Sequence, residues 1–148
     1  DTTPVALAAS PDVNEHSPTL SADGQWLAYV SDKSGAWEVY VKPFLSGDGE
    51  WQVSDSGGTE PRWAHSGREL FYKQGGRLMV AEVTARQRSL IVGQRRSLFT
   101  IQEYYNFSFH PTYDVARDDR HFAMIRSRYF GESFDLVVIE NWRPVFRN

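Results

Sequence analysis

Three copies of one hairpin, with their apolar positions in step, govern what this chain can become. Residues 17–32 read Ser-Pro-Thr-Leu-Ser-Ala-Asp-Gly-Gln-Trp-Leu-Ala-Tyr-Val-Ser-Asp. That is a short strand, a tight turn at Asp23-Gly24 and a second strand. Pro18, Leu20, Gly24, Leu27 and Tyr29 return 43 residues later as Pro61, Trp63, Gly67, Leu70 and Tyr72. They return again after a further 52 residues as Tyr113, Val115, Asp119, Phe122 and Met124. Asp in place of the third turn glycine is tolerable, because Asp and Asn enter left-handed backbone more readily than other residues with a Cβ. Loops absorb the drift in spacing at small entropic cost.

Around these hairpins the remaining strands can be read in order. A lone apolar run at 4–10 has no hairpin partner beside it. The first unit, 17–58, holds strands at 17–21, 25–31, 37–44 and 51–54, separated by Gly- and Ser-rich turns. Both faces of 25–31 are apolar, which suits a sheet packed between two neighbours. The second unit, 59–100, holds strands at 61–64, 69–73, 77–83 and an irregular one at 89–99. A third, incomplete unit at 112–142 supplies 112–116, 121–126 and 134–140, and lacks a fourth strand. No stretch of about 11 residues or more carries helical periodicity. The fold class expected is therefore all-β: β-propeller blades of four antiparallel strands, about three to the chain.

The ends support this reading. The opening strand has no blade and the closing blade has no outer strand, so in a closed ring the first can complete the last and remove an exposed edge. Three blades are too few for a ring, since propellers use 4 to 8. The half-ring is expected to reach six blades either as a homodimer or within a longer parent, and for the chain as given we expect the homodimer.

Composition excludes several roles. At 148 residues the chain suffices for one domain with a sizeable core. A net charge of -3 gives no basic surface for nucleic acid. No run of about 18 apolar residues exists to insert in a membrane, and the first residues lack the basic-then-apolar pattern of a secretion signal. Without cysteine there is neither a disulfide framework nor a thiolate metal site.

Candidate chemistry is sparse. His16, His65, His110 and His121 show no metal-ligand spacing. Asp118-Asp119 reads as a turn, because a calcium cage needs six or more oxygens. Gly131-Glu132-Ser133 lacks the trailing glycine of a nucleophile elbow. No catalytic residue, cofactor or metal is expected. The binding candidates are loop positions. Asn14, Glu15 and His16 precede the innermost strand of the first unit, where propeller loops line the axial channel. Glu60 and Arg62 flank Pro61 at the corresponding place in the second, as a solvated ion pair or as a contact at the channel mouth. Tyr104 and Tyr105 open an aromatic segment reaching Phe109, and Arg128 lies in a loop at 126–130 with two cations beside two aromatics.

The 17–32 segment, Glu38-Val39-Tyr40-Val41-Lys42-Pro43-Phe44, Trp51-Gln52-Val53-Ser54, 57–61 and 67–72 resemble the TolB-like (WD-type) propeller repeat. Tyr113-Asp114-Val115, Arg120-His121-Phe122 and 137–142 are similar to the last blade of propellers appended to bacterial serine/threonine kinases. The resemblance implies a sensing or docking module, periplasmic or otherwise extracytoplasmic. The expected function is thus a non-enzymatic propeller that binds a protein or peptide. The alternatives are a regulatory or gating propeller of an enzyme, a kinase or prolyl-oligopeptidase-type hydrolase whose catalytic domain lies outside this chain, and a structural, self-associating half-propeller.

Overall fold

A computed structural model describes residues 6–7, 11–45, 48–86, 89–104, 110–128 and 133–140. Its described residues contain eleven strands and no helix. In chain order these are β1 (Glu15–Leu20), β2 (Trp26–Ser31), β3 (Glu38–Pro43), β4 (Trp51–Gln52), β5 (Thr59–Trp63), β6 (Glu69–Gln74), β7 (Arg77–Arg86), β8 (Ser89–Thr100), β9 (Tyr113–Val115), β10 (Phe122–Arg128) and β11 (Ser133–Ile139).

They form three antiparallel sheets, ordered β1-β2-β3-β4, β5-β6-β7-β8 and β11-β10-β9. The hairpin turns carry the geometry that their residues allow: Gly24 and Gly67 both have φ 68, and Asp119 has φ 55. A bulge recurs as well. Register shifts between His16 and Thr19 and again between Thr59 and Arg62, and the residues inside, Ser17 and Glu60, have φ 53 and 50. These two residues are 43 apart, so the repeat extends to backbone irregularity.

The sheets stack face to face through two seams. In the first, Trp26, Ala28, Val30, Val39 and Val41 of the first sheet meet Trp63, Leu70, Tyr72, Ala81 and Val83 of the second. In the second seam, Phe71, Leu78 and Val80 meet Tyr113, Val115, Phe122 and Met124, with Phe71 edge-on to Phe122 at 5.0 Å. The second sheet is therefore apolar on both faces, which explains its nearly continuous hydrophobic strands.

Of the opening strand expected at 4–10, only Ala6 and Leu7 fall among the described residues, outside any strand. Leu7 packs against Leu27, Tyr29 and Tyr40 on the outer face of the first sheet. The segment 126–128, expected as loop, is instead the end of β10. Arg126, Ser127 and Arg128 pair with Asp135, Phe134 and Ser133, and Arg126 Nη2 donates to Asp135 Oδ2 at 3.0 Å. That cross-strand charge pair favours continuing the ladder where composition alone suggested a loop.

Candidate functional site

One rim of the stack gathers the connections that cross from sheet to sheet. Glu38, buried at the start of β3, organises the first. Its carboxylate accepts from Ser54 Oγ and, at 2.8 Å, from the Gly57 amide, while Ser54 Oγ accepts from the Val39 amide at 2.7 Å. The Gly58 amide then donates to the Trp37 carbonyl at 2.8 Å. Gly58 cannot carry a side chain: a Cβ there would lie 2.4 Å from Ser54 Oγ. In the second sheet Gly75 and Gly76, with φ 53 and 74, turn β6 into β7, and the Gly76 carbonyl accepts from the Ile101 amide at 2.8 Å. Tyr104 follows, tied by its own amide to Ile101 at 3.0 Å and bridged to Arg126.

These connections enclose a groove of about 480 Å³ lined by Trp37, Thr59, Gln74, Gln102, Tyr104 and four glycines. The exposed Gly75–Gly76 turn, two side-chain amides and two aromatic rings suit an extended chain better than a compact metabolite. Trp37 is braced from behind by His16, edge-on at 4.7 Å.

Beneath the groove lies a buried charge pair. Lys73 Nζ donates to Glu60 Oε1 at 2.9 Å and to Thr112 Oγ1. Glu60 Oε2 accepts from the Thr112 amide at 2.7 Å and from its hydroxyl at 2.9 Å, and the Tyr113 hydroxyl donates to the Glu60 carbonyl at 2.8 Å. Both charged side chains are almost wholly inaccessible. Burial pulls the Lys73 ammonium below its ordinary value, against the opposing pull of Glu60, and burial together with the Glu60 charge pushes Tyr113 well above its own.

The other expected residues scatter. Asn14 binds the Asp32 carboxylate through its amide and its side chain, both at 2.8 Å, and these bonds hold the Asp32 carboxyl below the usual range. Glu15 and His16 line a second groove of about 500 Å³ on the outer face of the first sheet, with Pro18, Leu20, Leu27 and Tyr29. His16 is lowered by burial, with Asp32 opposing, and its Nδ1 lies 2.8 Å from Ser17 Oγ. Glu60 is not a solvated partner of Arg62 and does not reach the surface; its cation is Lys73, and Arg62 stays part-buried beside the Pro61 carbonyl at 3.4 Å. Of the aromatic pair, Tyr104 lines the first groove, whereas Tyr105 lies outside the described residues, as does the Arg128 side chain.

Sequence reasoning missed Trp37, Gln74, Gln102, Lys73 and Thr112. For Lys73 a signal existed: it stands where the first repeat has Val30 and the third has Ile125. A charge at an otherwise apolar repeat position needs a buried partner.

No protein-family model matches the chain, and no curated protein does. Solved structures match it. Oligogalacturonate lyase from Vibrio parahaemolyticus superposes with a TM-score of 0.58 at 15% identity, over 79% of this chain and 31% of that one. A TolB-type protein from Agrobacterium tumefaciens gives 0.57 at 13%, over 91% and 48%. Prolyl oligopeptidase B from Galerina marginata gives 0.50 at 18%, over 91% and 20%. The chain spans about a third of the lyase, under half of the TolB-type protein and a fifth of the oligopeptidase. Likeness at these identities establishes the fold: three consecutive sheets of a TolB-like β-propeller.

Proposed function

We propose that this chain is a non-enzymatic recognition module that binds an extended peptide or protein segment in the groove between Trp37 and Tyr104. One observation carries the reading. The groove presents two aromatic side chains over a floor of glycine backbone, pinned by Glu38 and Ser54 below it. Aromatic anchors give contact area at low entropic cost, and the exposed Gly75–Gly76 turn, with no side chains, lets a ligand's main chain approach closely. The buried charge pair beneath serves to fix the groove wall; its donors and acceptors are spent on one another. Among the described residues no three His, Cys, Asp or Glu side chains converge as a metal site would require.

The test is a random peptide display library panned against the chain, with Trp37→Ala/Tyr104→Ala as the counter-selection. Peptides should enrich on the first and not on the second, and should shift the Gly57, Gly58, Gly75 and Gly76 amide resonances. Enrichment equal on both proteins, or shifts elsewhere, would overturn the assignment.

A second reading makes the chain a gating or regulatory propeller of an enzyme encoded outside it. It draws on the oligopeptidase, whose structure holds a 35mer substrate and of which this chain matches a fifth. A kinase-appended, extracytoplasmic setting belongs to this second reading and rests on the sequence resemblance. Under it, the groove variant would change turnover by the attached enzyme rather than simple peptide retention.

A further inference from the structure

The two outermost faces of the stack are matching halves of the seam it already contains. In the second sheet, Phe71, Leu78 and Val80 face the third sheet and are fully buried. Their counterparts in the third sheet are Ala123, Leu136 and Val138, because Phe71 pairs with Val80 and Lys73 with Leu78 as Ala123 pairs with Val138 and Ile125 with Leu136. Yet Leu136 is 80% exposed and Val138 62%. At the opposite end the same relation runs in reverse. Val115, Phe122 and Met124, buried in the second seam, correspond to Leu20, Leu27 and Tyr29 along a groove on the first sheet, where Leu27 and Tyr29 are already covered, with Leu7 and Phe44 packed against them. Leu20 is 45% exposed.

Position of the N-terminal segment adds an independent mark. Fourth-strand residues enter each internal seam just upstream of the crossing to the next sheet: Trp51 packs on the first seam, and Leu98 and Phe99 on the second. Leu7 packs on the outer face of the first sheet in the same manner, upstream of β1. It sits where the fourth strand of a preceding sheet would sit. The third sheet is the one that has three strands among the described residues.

We propose that the open face of the third sheet and the edge of β11 receive the first sheet of a second copy of this chain, together with the Leu7 that packs on it. The contact is head-to-tail and occurs twice, so that two copies close into six sheets. Rings of propeller sheets number 4 to 8, and six is the multiple of three within that range. A rotation that closes after two copies gives a finite assembly; one that failed to close would give fibres.

The decisive experiment uses sedimentation velocity on the chain at 5 to 100 μM, a range in which an interface of this class is occupied at about micromolar Kd. Two variants at exposed positions accompany it, Leu20→Asp and Leu136→Asp, each checked for its native β circular dichroism. The wild type should sediment as two chains. Each variant alone should lose the dimer, with apparent Kd raised at least tenfold, since both copies of the seam carry the charge. An equal mixture of the two variants should restore a two-chain species, because one of its two seams is free of both substitutions. A monomeric wild type at 100 μM would overturn the proposal and leave the faces to further sheets of a longer polypeptide. Loss on Leu136→Asp with no effect of Leu20→Asp would overturn it in favour of a symmetric pairing of third sheets. Failure of the mixture to recover would overturn the head-to-tail arrangement.

Discussion

The two internal seams solve one packing problem by different means. The first is largely apolar, and its described polar ties include the Trp63 indole N–H to the Thr19 carbonyl at 3.3 Å, the Arg95 guanidinium to the Val53 carbonyl, and an Arg95–Asp55 ion pair at 4.0 Å. The second adds to its aromatic core the Glu60–Lys73–Thr112 network and a carboxylate, Asp119, that accepts from the His65 amide at 2.6 Å and the Ser66 amide at 3.0 Å. Repeat-equivalent positions make the contrast sharp. Glu60 and Lys73 stand where the first repeat has Ser17 and Val30, and Asp119 where the earlier turns have Gly24 and Gly67. A seam can thus be held chiefly by burial, and the second adds a buried polar network to it. Buried ion pairs contribute little net stability over apolar replacements, but removing one partner is costly.

Glu60→Ala breaks the contrast most severely. It removes the carboxylate partner of the buried Lys73 ammonium and should cost about 3–5 kcal/mol. Urea unfolding followed by tryptophan fluorescence would measure it, and a loss below about 1 kcal/mol would show that the network is solvated in solution. Asp119→Ala should come next, at about 2 kcal/mol, because it deletes two charge-assisted bonds while keeping a left-handed turn. Asp119→Gly, which restores the residue of the other two turns, should recover about 1 kcal/mol of that by relieving the backbone.

Glu60→Ser/Lys73→Val sharpens the comparison by moving the first seam's pair into the second. The double variant should lose only about 1–2 kcal/mol, chiefly from the two Thr112 hydrogen bonds to the Glu60 carboxylate that it deletes. If it is as unstable as Glu60→Ala, the charge pair holds the seam by itself rather than choosing its partner.

The smallest effect lies outside both seams. Ser21 Oγ and the Gln25 amide hold the Asp23 carboxyl below 3.8, and the Arg120 amide and His121 do the same for Asp118. Their folded values are depressed, so their contribution is complete above 3.8 and is lost as pH falls through the lower folded values. Hydrogen exchange at pH 5 and pH 3 should therefore show the β1–β2 and β9–β10 turns loosening before the apolar cores of the two seams. Uniform loosening of all three sheets would point to the seam carboxylates instead.

What the sequence made legible is local. Turn residues at Gly24, Gly67 and Asp119 and the alternation through β2, β6 and β10 place eleven strands to within a few residues, because each hairpin is specified by residues adjacent in the chain. Seam chemistry was not legible in the same way. Glu60 meets Lys73 across a bulge and Thr112 across 52 residues of chain, and neither link follows from spacing. Asp119 was readable as a tolerable turn residue; its use of the His65 and Ser66 amides needs the neighbouring sheet in place. The groove fared likewise, since Trp37, Gln74 and Tyr104 come from the β2–β3 connection, the end of β6 and the β8–β9 connection.

A chain made of look-alike units runs the risk that a unit docks on the wrong sibling. Hydrocarbon surfaces alone discriminate poorly among Val-, Leu- and Phe-lined partners. The Glu60 carboxylate adds a polar criterion: in the native order it accepts from the Thr112 amide and hydroxyl, and a stacking order that moved Thr112 away would cost the carboxylate those two bonds. Docking in the native order is thus favoured by polar matching at Glu60 as well as by apolar burial.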